Sequence, residues 1–205
     1  MRPVTVLHCS DLHLGRVLPQ GRSEELQMTF EDLILLGEQR KADLFLIAGD
    51  LFDQPVPERE LVEFVRSRLA KLPENMTVAI APGNHDFICS GSPYLNCDWG
   101  KRVKILTGQP VQLENLPVTL WGAAFHGSYQ TQSLLEGVRL EPDGRLHIGV
   151  LHGDLVSDRG QSNYDPLPPW QIAQSSLLYV ALGHIHQRSE LHKAGTTAYC
   201  CLLYT

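Results

Sequence analysis

Short apolar runs alternate with longer stretches of helical period along the first part of the chain. Residues 4–9 read as a buried strand. Leu26, Phe30, Leu33, Ile34 and Gly37 share one face at helical spacing, which predicts a helix over 23–40. Residues 44–48 form the next apolar run. Pro57 suits a first helical turn, and Leu61, Val62, Phe64, Val65, Leu69 and Leu72 give the helix it opens an apolar face. Residues 76–81 read as a third strand. This β-α-β-α-β order predicts a parallel sheet with crossover helices.

The pattern changes after residue 103. Strand signals crowd together at 103–106, 111–113, 118–123, 147–152, 178–181 and 190–192. One short helix, near 170–175, is entered through Pro166, Pro168 and Pro169. The second half therefore reads as mixed or antiparallel sheet. Two sheets packed face to face and flanked by helices satisfy both halves, an α/β sandwich. No internal repeat, low-complexity tract or linker interrupts the chain.

Composition narrows the classes. The 205 residues are 43% hydrophobic and 20% charged, enough for a substantial core and against global disorder. Net charge is −6 with histidine neutral, which excludes a protein that coats nucleic acid by bulk positive charge. It does not exclude a nuclease, because bound cations offset active-site carboxylates. No apolar run approaches a membrane span or a signal-peptide core, so a cytoplasmic location is expected. The five cysteines, Cys9, Cys89, Cys97, Cys200 and Cys201, are odd in number and contain no C-x-x-C pair. Reduced thiols are therefore expected rather than a disulfide framework or thiolate zinc site. The final string, Cys201-Leu202-Leu203-Tyr204-Thr205, is what the adapter-like codons TGT CTC TTA TAC ACA encode. The expectation is one catalytic domain over 1–200, a non-native or truncated end at 201–205, and a longer parent protein.

Polar residues collect where the predicted strands end. The clusters are Asp11-Leu12-His13, Gly49-Asp50-Leu51-Phe52-Asp53, Gly83-Asn84-His85-Asp86, His152-Gly153-Asp154 and Gly183-His184-Ile185-His186. Each alone has an ordinary structural reading as a turn or an alternating strand residue. All five at successive strand ends would crowd one rim of the sheet, where functional groups of α/β folds gather. Such a crowd of carboxylates and imidazoles calls for divalent cations. Asp11, His13, Asp50, Asn84, His152, His184 and His186 offer seven N/O donors. With Asp50 bridging, they supply four bonds to each of two ions. This donor set suits Mn²⁺, Fe²⁺ or Zn²⁺. Two such ions, roughly 3.5–4 Å apart, clamp a phosphoryl group and hold a hydroxide nucleophile between them.

In that order, D-x-H, G-D-x-x-D, G-N-H-D, H-G and G-H-x-H resemble the calcineurin-like metallophosphoesterases, over nearly the whole chain. His8-Cys9-Ser10-Asp11-Leu12-His13-Leu14-Gly15 and Tyr179-Val180-Ala181-Leu182-Gly183-His184-Ile185-His186 are similar to the SbcD-type DNA repair exonucleases, including their YhaO-like branch. The resemblance implies a four-layer α/β/β/α sandwich of two mixed sheets. It implies one ion on Asp11, His13, Asp50 and His186 and a second on Asp50, Asn84, His152 and His184, with Mn²⁺ the first choice of metal. His85 would contact the scissile phosphate and protonate or stabilise the leaving oxygen, and Asp86 would orient His85. DNA would be the substrate and an SbcC-like ABC-type ATPase the partner of the full-length protein. A capping domain would follow this chain, and a homodimer is compatible.

Other residues have weaker claims. Asp53 could orient a metal ligand, contact substrate, cap a helix or lie solvated, and Asp154 could support a ligand or lie exposed. His8 reads as a core histidine, and His126 as a loop residue. His147 and His192 have no evident partner, and Arg16 and Arg22 read as surface. No P-loop occurs. Three functions stay open: a metal-dependent DNA exonuclease or endonuclease, a small-molecule phosphodiesterase or phosphatase, and a non-catalytic module that keeps the fold. Acidic net charge predicts weak DNA affinity for this chain alone.

Overall fold

The computed structural model describes residues 3–19 and 22–186, without the side chain of Ser23, and the backbone of two further strands at 189–193 and 196–200. The expected non-native end at 201–205 and the side chain of His192 lie outside the described residues.

Strands β1 (Val6–Cys9), β2 (Leu44–Ala48), β3 (Thr77–Ala81) and β4 (Val103–Ile105) lie side by side in that order, all parallel. Helices α1 (Ser23–Gln39) and α2 (Arg59–Ala70) make the first two crossovers. The short helix α3 (Pro93–Asn96) lies in the third, capped by the Ser92 hydroxyl. Pro57 does not open α2: Glu58 stays extended at ψ 140°, so the first helical residue is Arg59.

The chain continues through β5 (Val111–Gln112), β6 (Val118–Gly122), β7 (Leu146–His152), β8 (Asp154–Leu155), β9 (Pro166–Leu167), α4 (Pro169–Gln174), β10 (Tyr179–Gly183), β11 (Ser189–Lys193) and β12 (Thr196–Cys200). The second sheet has the order β11-β12-β10-β7-β6-β5. Its four central strands are parallel, and the two edge strands, β5 and β11, are antiparallel to their neighbours. The sheet is thus mixed, with a parallel centre. Segment 123–145 carries the chain from β6 to its parallel neighbour β7 without a helix.

Alternation along each strand sorts the side chains into layers. Phe45 and Ile47 of β2 meet Leu26, Phe30 and Val65 on the helical side. Leu44, Leu46 and Ala48 face the second sheet and meet Ile148, Val150 and Ala181. Leu151, Val180 and Leu182 point the other way, toward Ile172 of α4. The result is helix, sheet, sheet, helix. Fully burying each of the large side chains contributes about 1.5–3 kcal/mol. Among the described residues no helix is long and apolar enough to cross a membrane.

The two sheets approach closely at their carboxyl ends. A Cβ on Gly183, the last residue of β10, would lie 2.0 Å from the Ala48 carbonyl oxygen at the end of β2. A Cβ on Gly49 would lie 2.2 Å from the His152 ring. Only glycine permits these contacts, and Gly49 also sits at φ +83°. Both rims can therefore contribute to one site.

Candidate functional site

Five strand ends deliver polar residues to that shared rim. Asp11 and His13 follow β1, Asp50 and Asp53 follow β2, and Asn84 and His85 follow β3. His152 ends β7, and His184 and His186 follow β10. The turns are tight enough to force non-glycine residues into the left-handed region. Asp11 (φ 55°), His13 (45°), Asp50 (52°) and His184 (89°) are four of seven such residues among those described. Each costs on the order of 1–3 kcal/mol and persists only where the surroundings over-determine it. Here they do: the Asp11 N–H donates to the Gly49 carbonyl at 3.1 Å, and the His13 N–H to the Asp50 carbonyl at 2.9 Å.

Asp11 is buried. Its carboxylate accepts the Ser10 hydroxyl at 2.5 Å and the His184 backbone N–H at 3.1 Å, and the His186 Nε2 lies 3.3 Å away. Asp50 accepts the His85 backbone N–H on Oδ1 at 2.9 Å. Its Oδ2 faces His152 Nε2 at 3.3 Å and His13 Nε2 at 3.8 Å. Asn84 Oδ1 lies 3.0 Å from His152 Nε2 and 3.1 Å from His184 Nδ1. His152 Nδ1 pairs with the Ala48 carbonyl at 2.9 Å, which assigns the proton there and turns Nε2 toward the cluster.

These groups fit divalent cations. Ligand atoms of Asp11, His13 and His186 lie within 4.8 Å of one another, as do those of Asp11, Asp50 and His152, and those of His13, Asp50 and His85. Both ring nitrogens of buried His13 lack a hydrogen bond, so Nε2 is a bare donor atom aimed at the Asp50 side. The His13 Nδ1 lies 3.1 Å from Asp53 Oδ1, but out of line for a hydrogen bond.

Electrostatics favours the same reading. Burial alone would raise the Asp50 carboxyl, yet the adjacent His152 holds it well below the usual range. Burial likewise opposes ionisation of Asp11, and His186 with Ser10 overcomes it. His152 goes the other way: burial would lower it, but Asp50 and Asp11 push it up to about 10. The hydrogen bond to Asp11 raises His186. Burial lowers His13 and His184, keeping them neutral as metal ligation requires. The buried Asp50 and Asp11 carboxylates thus stay ionised, and they draw positive charge toward the rim, where a cation would also balance them.

Some expectations change. Asp86 does not orient His85. Its buried carboxylate accepts the backbone N–H groups of Gly83 (2.7 Å), Leu51 (2.9 Å), Asp50 (3.2 Å) and Phe52 (3.3 Å), and the Tyr94 hydroxyl at 2.5 Å. It pins the turns after β2 and β3 together. Asp53 stands beside His85 instead: the His85 Nδ1 faces its carbonyl at 3.2 Å, and the Asp53 carboxylate lies 3.7 Å away. His85 is half exposed at the rim, its ring 4.7 Å from that of His13. His8 pairs with the Tyr179 hydroxyl at 3.0 Å, and burial lowers its pKa to about 4, in keeping with a core histidine. His147, for which the sequence offers no evident partner, meets Asp143 at 2.9 Å. His126 and Arg16 are exposed, and Arg22 is paired with Glu25.

Sequence reasoning missed the aromatic neighbours. Tyr164 lies against His184, ring centroids 4.4 Å apart, and Tyr129 lies against Tyr164. With His85, Asn84 and Phe87 they line an open cavity of about 240 Å³ beside the candidate ligands. Both tyrosines come from polar loops without periodicity, so nothing in the pattern marked them.

The chain is similar to known proteins of one family. The sequence profile of the calcineurin-like phosphoesterases matches residues 4–188. The metallophosphoesterase YhaO of Bacillus subtilis (strain 168) is 30% identical over 92% of the chain and 50% of its own length. The DNA double-strand break repair protein Mre11 of Sulfurisphaera tokodaii is 26% identical over 92% of the chain and 50% of its own length. Its counterpart in Methanopyrus kandleri is 34% identical over 38% of the chain and 18% of its own length. The chain spans about half the length of the first and second of these.

Proposed function

The chain belongs to the calcineurin-like phosphoesterases, and from that premise we propose that it is the nuclease part of a DNA repair enzyme that hydrolyses phosphodiesters. The observation that carries the proposal is the convergence of Asp50 Oδ2, Asn84 Oδ1, His152 Nε2 and His184 Nδ1, drawn from both sheets onto one rim. Asp11, His13, Asp50 and His186 would hold one divalent ion, and Asp50, Asn84, His152 and His184 a second. Mn²⁺ is the first candidate, with Fe²⁺ or Zn²⁺ as alternatives. When bound, the ions supply Lewis acidity and neutralise phosphate charge.

The chain's own residues do the rest. The Asp53 carbonyl accepts the Nδ1–H of His85 at 3.2 Å, and the ring would give its second proton, from Nε2, to the leaving oxygen when both nitrogens carry one. Asp86 fixes the turn from which His85 projects. The aromatic wall of Phe87, Tyr129 and Tyr164 offers flat faces to a nucleobase, which supports a nucleic-acid substrate. So do the repair proteins among its relatives. A capping domain and an ABC-type ATPase as docking partner of the whole protein belong to the same proposal.

The test is a nuclease assay on DNA ends with Mn²⁺, using the full-length protein and its ATPase partner. Cleavage lost about 10²–10⁴-fold in His85→Ala is expected. Cleavage of a cyclic nucleotide or phosphomonoester with no activity on DNA would instead favour a small-molecule phosphoesterase. No bound metal by elemental analysis would favour a non-catalytic module.

A further inference from the structure

We infer that Asp154 is a positioning residue for the second cation site, accepting a hydrogen bond from the Nε2–H of His184 while Ser162 and Tyr164 hold the pair. The inference rests on the two-ion reading above. His184 turns its Nδ1 toward Asn84 Oδ1 at 3.1 Å, so this nitrogen faces the donor cluster. The opposite nitrogen, Nε2, faces Asp154 Oδ1 at 3.5 Å. That oxygen is buried and accepts no hydrogen bond. A shift of about 0.5 Å brings the two groups into hydrogen-bonding range. A buried carboxylate oxygen without a donor is costly, and His184 is a donor placed to relieve it.

The surroundings fix both partners. The other Asp154 oxygen accepts the Ser162 hydroxyl. Ser162 Oγ in turn accepts the Tyr164 backbone N–H at 2.9 Å. The Asp154 backbone N–H donates to the Tyr164 carbonyl at 2.9 Å, closing the loop between β8 and β9. The Tyr164 ring lies over His184 at an interplanar angle of 34° and stops the imidazole from rotating away. A carboxylate behind a ligating imidazole selects its tautomer and strengthens it as a ligand. The loop 154–164 therefore tunes His184 without touching the ion.

Titration of the full chain with Mn²⁺ by calorimetry tests this. Wild type is expected to take up two ions. In Asp154→Asn one ion should bind about 10–100-fold more weakly, with the other changed less than about twofold. The weakened ion should be the one that His184→Ala removes. Ser162→Ala should weaken the same ion by a smaller factor. In the Zn²⁺-loaded protein, long-range proton–nitrogen NMR should find the His184 proton on Nε2. Equal affinities in wild type and Asp154→Asn, or equal weakening of both ions, would overturn the inference alone. So would a His184 proton on Nδ1. A wild type that binds no Mn²⁺ would overturn the two-ion reading and the inference with it.

Discussion

Asp50 gives one carboxylate oxygen to the backbone N–H of His85, at 2.9 Å, and keeps the other for the imidazoles of His152 and His13. The first bond ties the turn after β3 to the turn after β2. The second places a charge at the centre of the cluster. An Asp50→Asn variant preserves the first and replaces the second with an amide N–H₂. Its affinity for both cations should fall at least about 100-fold, beyond what changes to a ligand's supporting groups usually cause. Near-UV circular dichroism should stay that of the wild type. Metal content after dialysis reads the outcome, and two retained ions would contradict it.

Tyr94 reaches the same turns from below. Burial and the charge of Asp50 push the Asp86 carboxyl up to about 6, and the Tyr94 hydroxyl opposes that rise. Removing it in Tyr94→Phe should cost about 1.5–3 kcal/mol, the scale of a hydrogen bond to a charged group. For a chain of this size that corresponds to a Tm lower by roughly 3–12 °C. Calorimetry measures it directly, and an unchanged Tm would show that the bond contributes nothing.

Close approach of the sheets gives a third expectation. A methyl group at Gly183 would meet the Ala48 carbonyl at 2.0 Å and the His152 Nδ1 at 2.8 Å. Gly183→Ala must therefore part the rims, at a cost of about 1–3 kcal/mol or more. It should also weaken cation binding. Gly127→Ala is the control, since nothing lies within 4 Å of its added Cβ. Urea denaturation and Mn²⁺ titration of both variants compare the two positions, and equal behaviour would refute the steric account.

Asp165 should make stability depend on pH. Burial pushes its carboxyl from 3.8 up to about 7, and the charge of Asp154 adds to the rise against the Leu134 N–H and His152. The folded chain thus keeps a proton that the unfolded chain releases near pH 4. The contribution is complete below that pH, declines as pH rises toward 7, and is flat above. Asp165→Asn removes the decline while its amide oxygen can still accept the Leu134 N–H. Near pH 4 the two proteins should match. At pH 8 the variant should be more stable, on the order of a few kcal/mol. Urea midpoints across this range provide the check, and parallel profiles would speak against it.

Much of this was legible from the chain. Strand β2 coincides with the apolar run 44–48, because an all-buried central strand leaves no polar position to blur its ends. The rim residues were legible because each follows an apolar run on a glycine turn. What escaped notice depends on distant pairing. Asp86 sits beside His85 in sequence, yet its carboxylate turns inward to four backbone amides. Asp53 takes the place beside His85, a choice made by the fold of the turn rather than by spacing. Tyr164 reaches His184 only because β8 pairs with β9.

The division of the candidate ligands between two sheets has a consequence for synthesis. Asp11, His13, Asp50 and Asn84 leave the ribosome first. His152 follows Asn84 by 68 residues, and His184 and His186 come later still. The first sheet with its helices precedes the second along the chain, but it carries three of the four proposed ligands of one ion and two of the four of the other. A nascent or half-folded chain would therefore be chemically silent. Both proposed ion sites would be completed in a single event, when the second sheet docks.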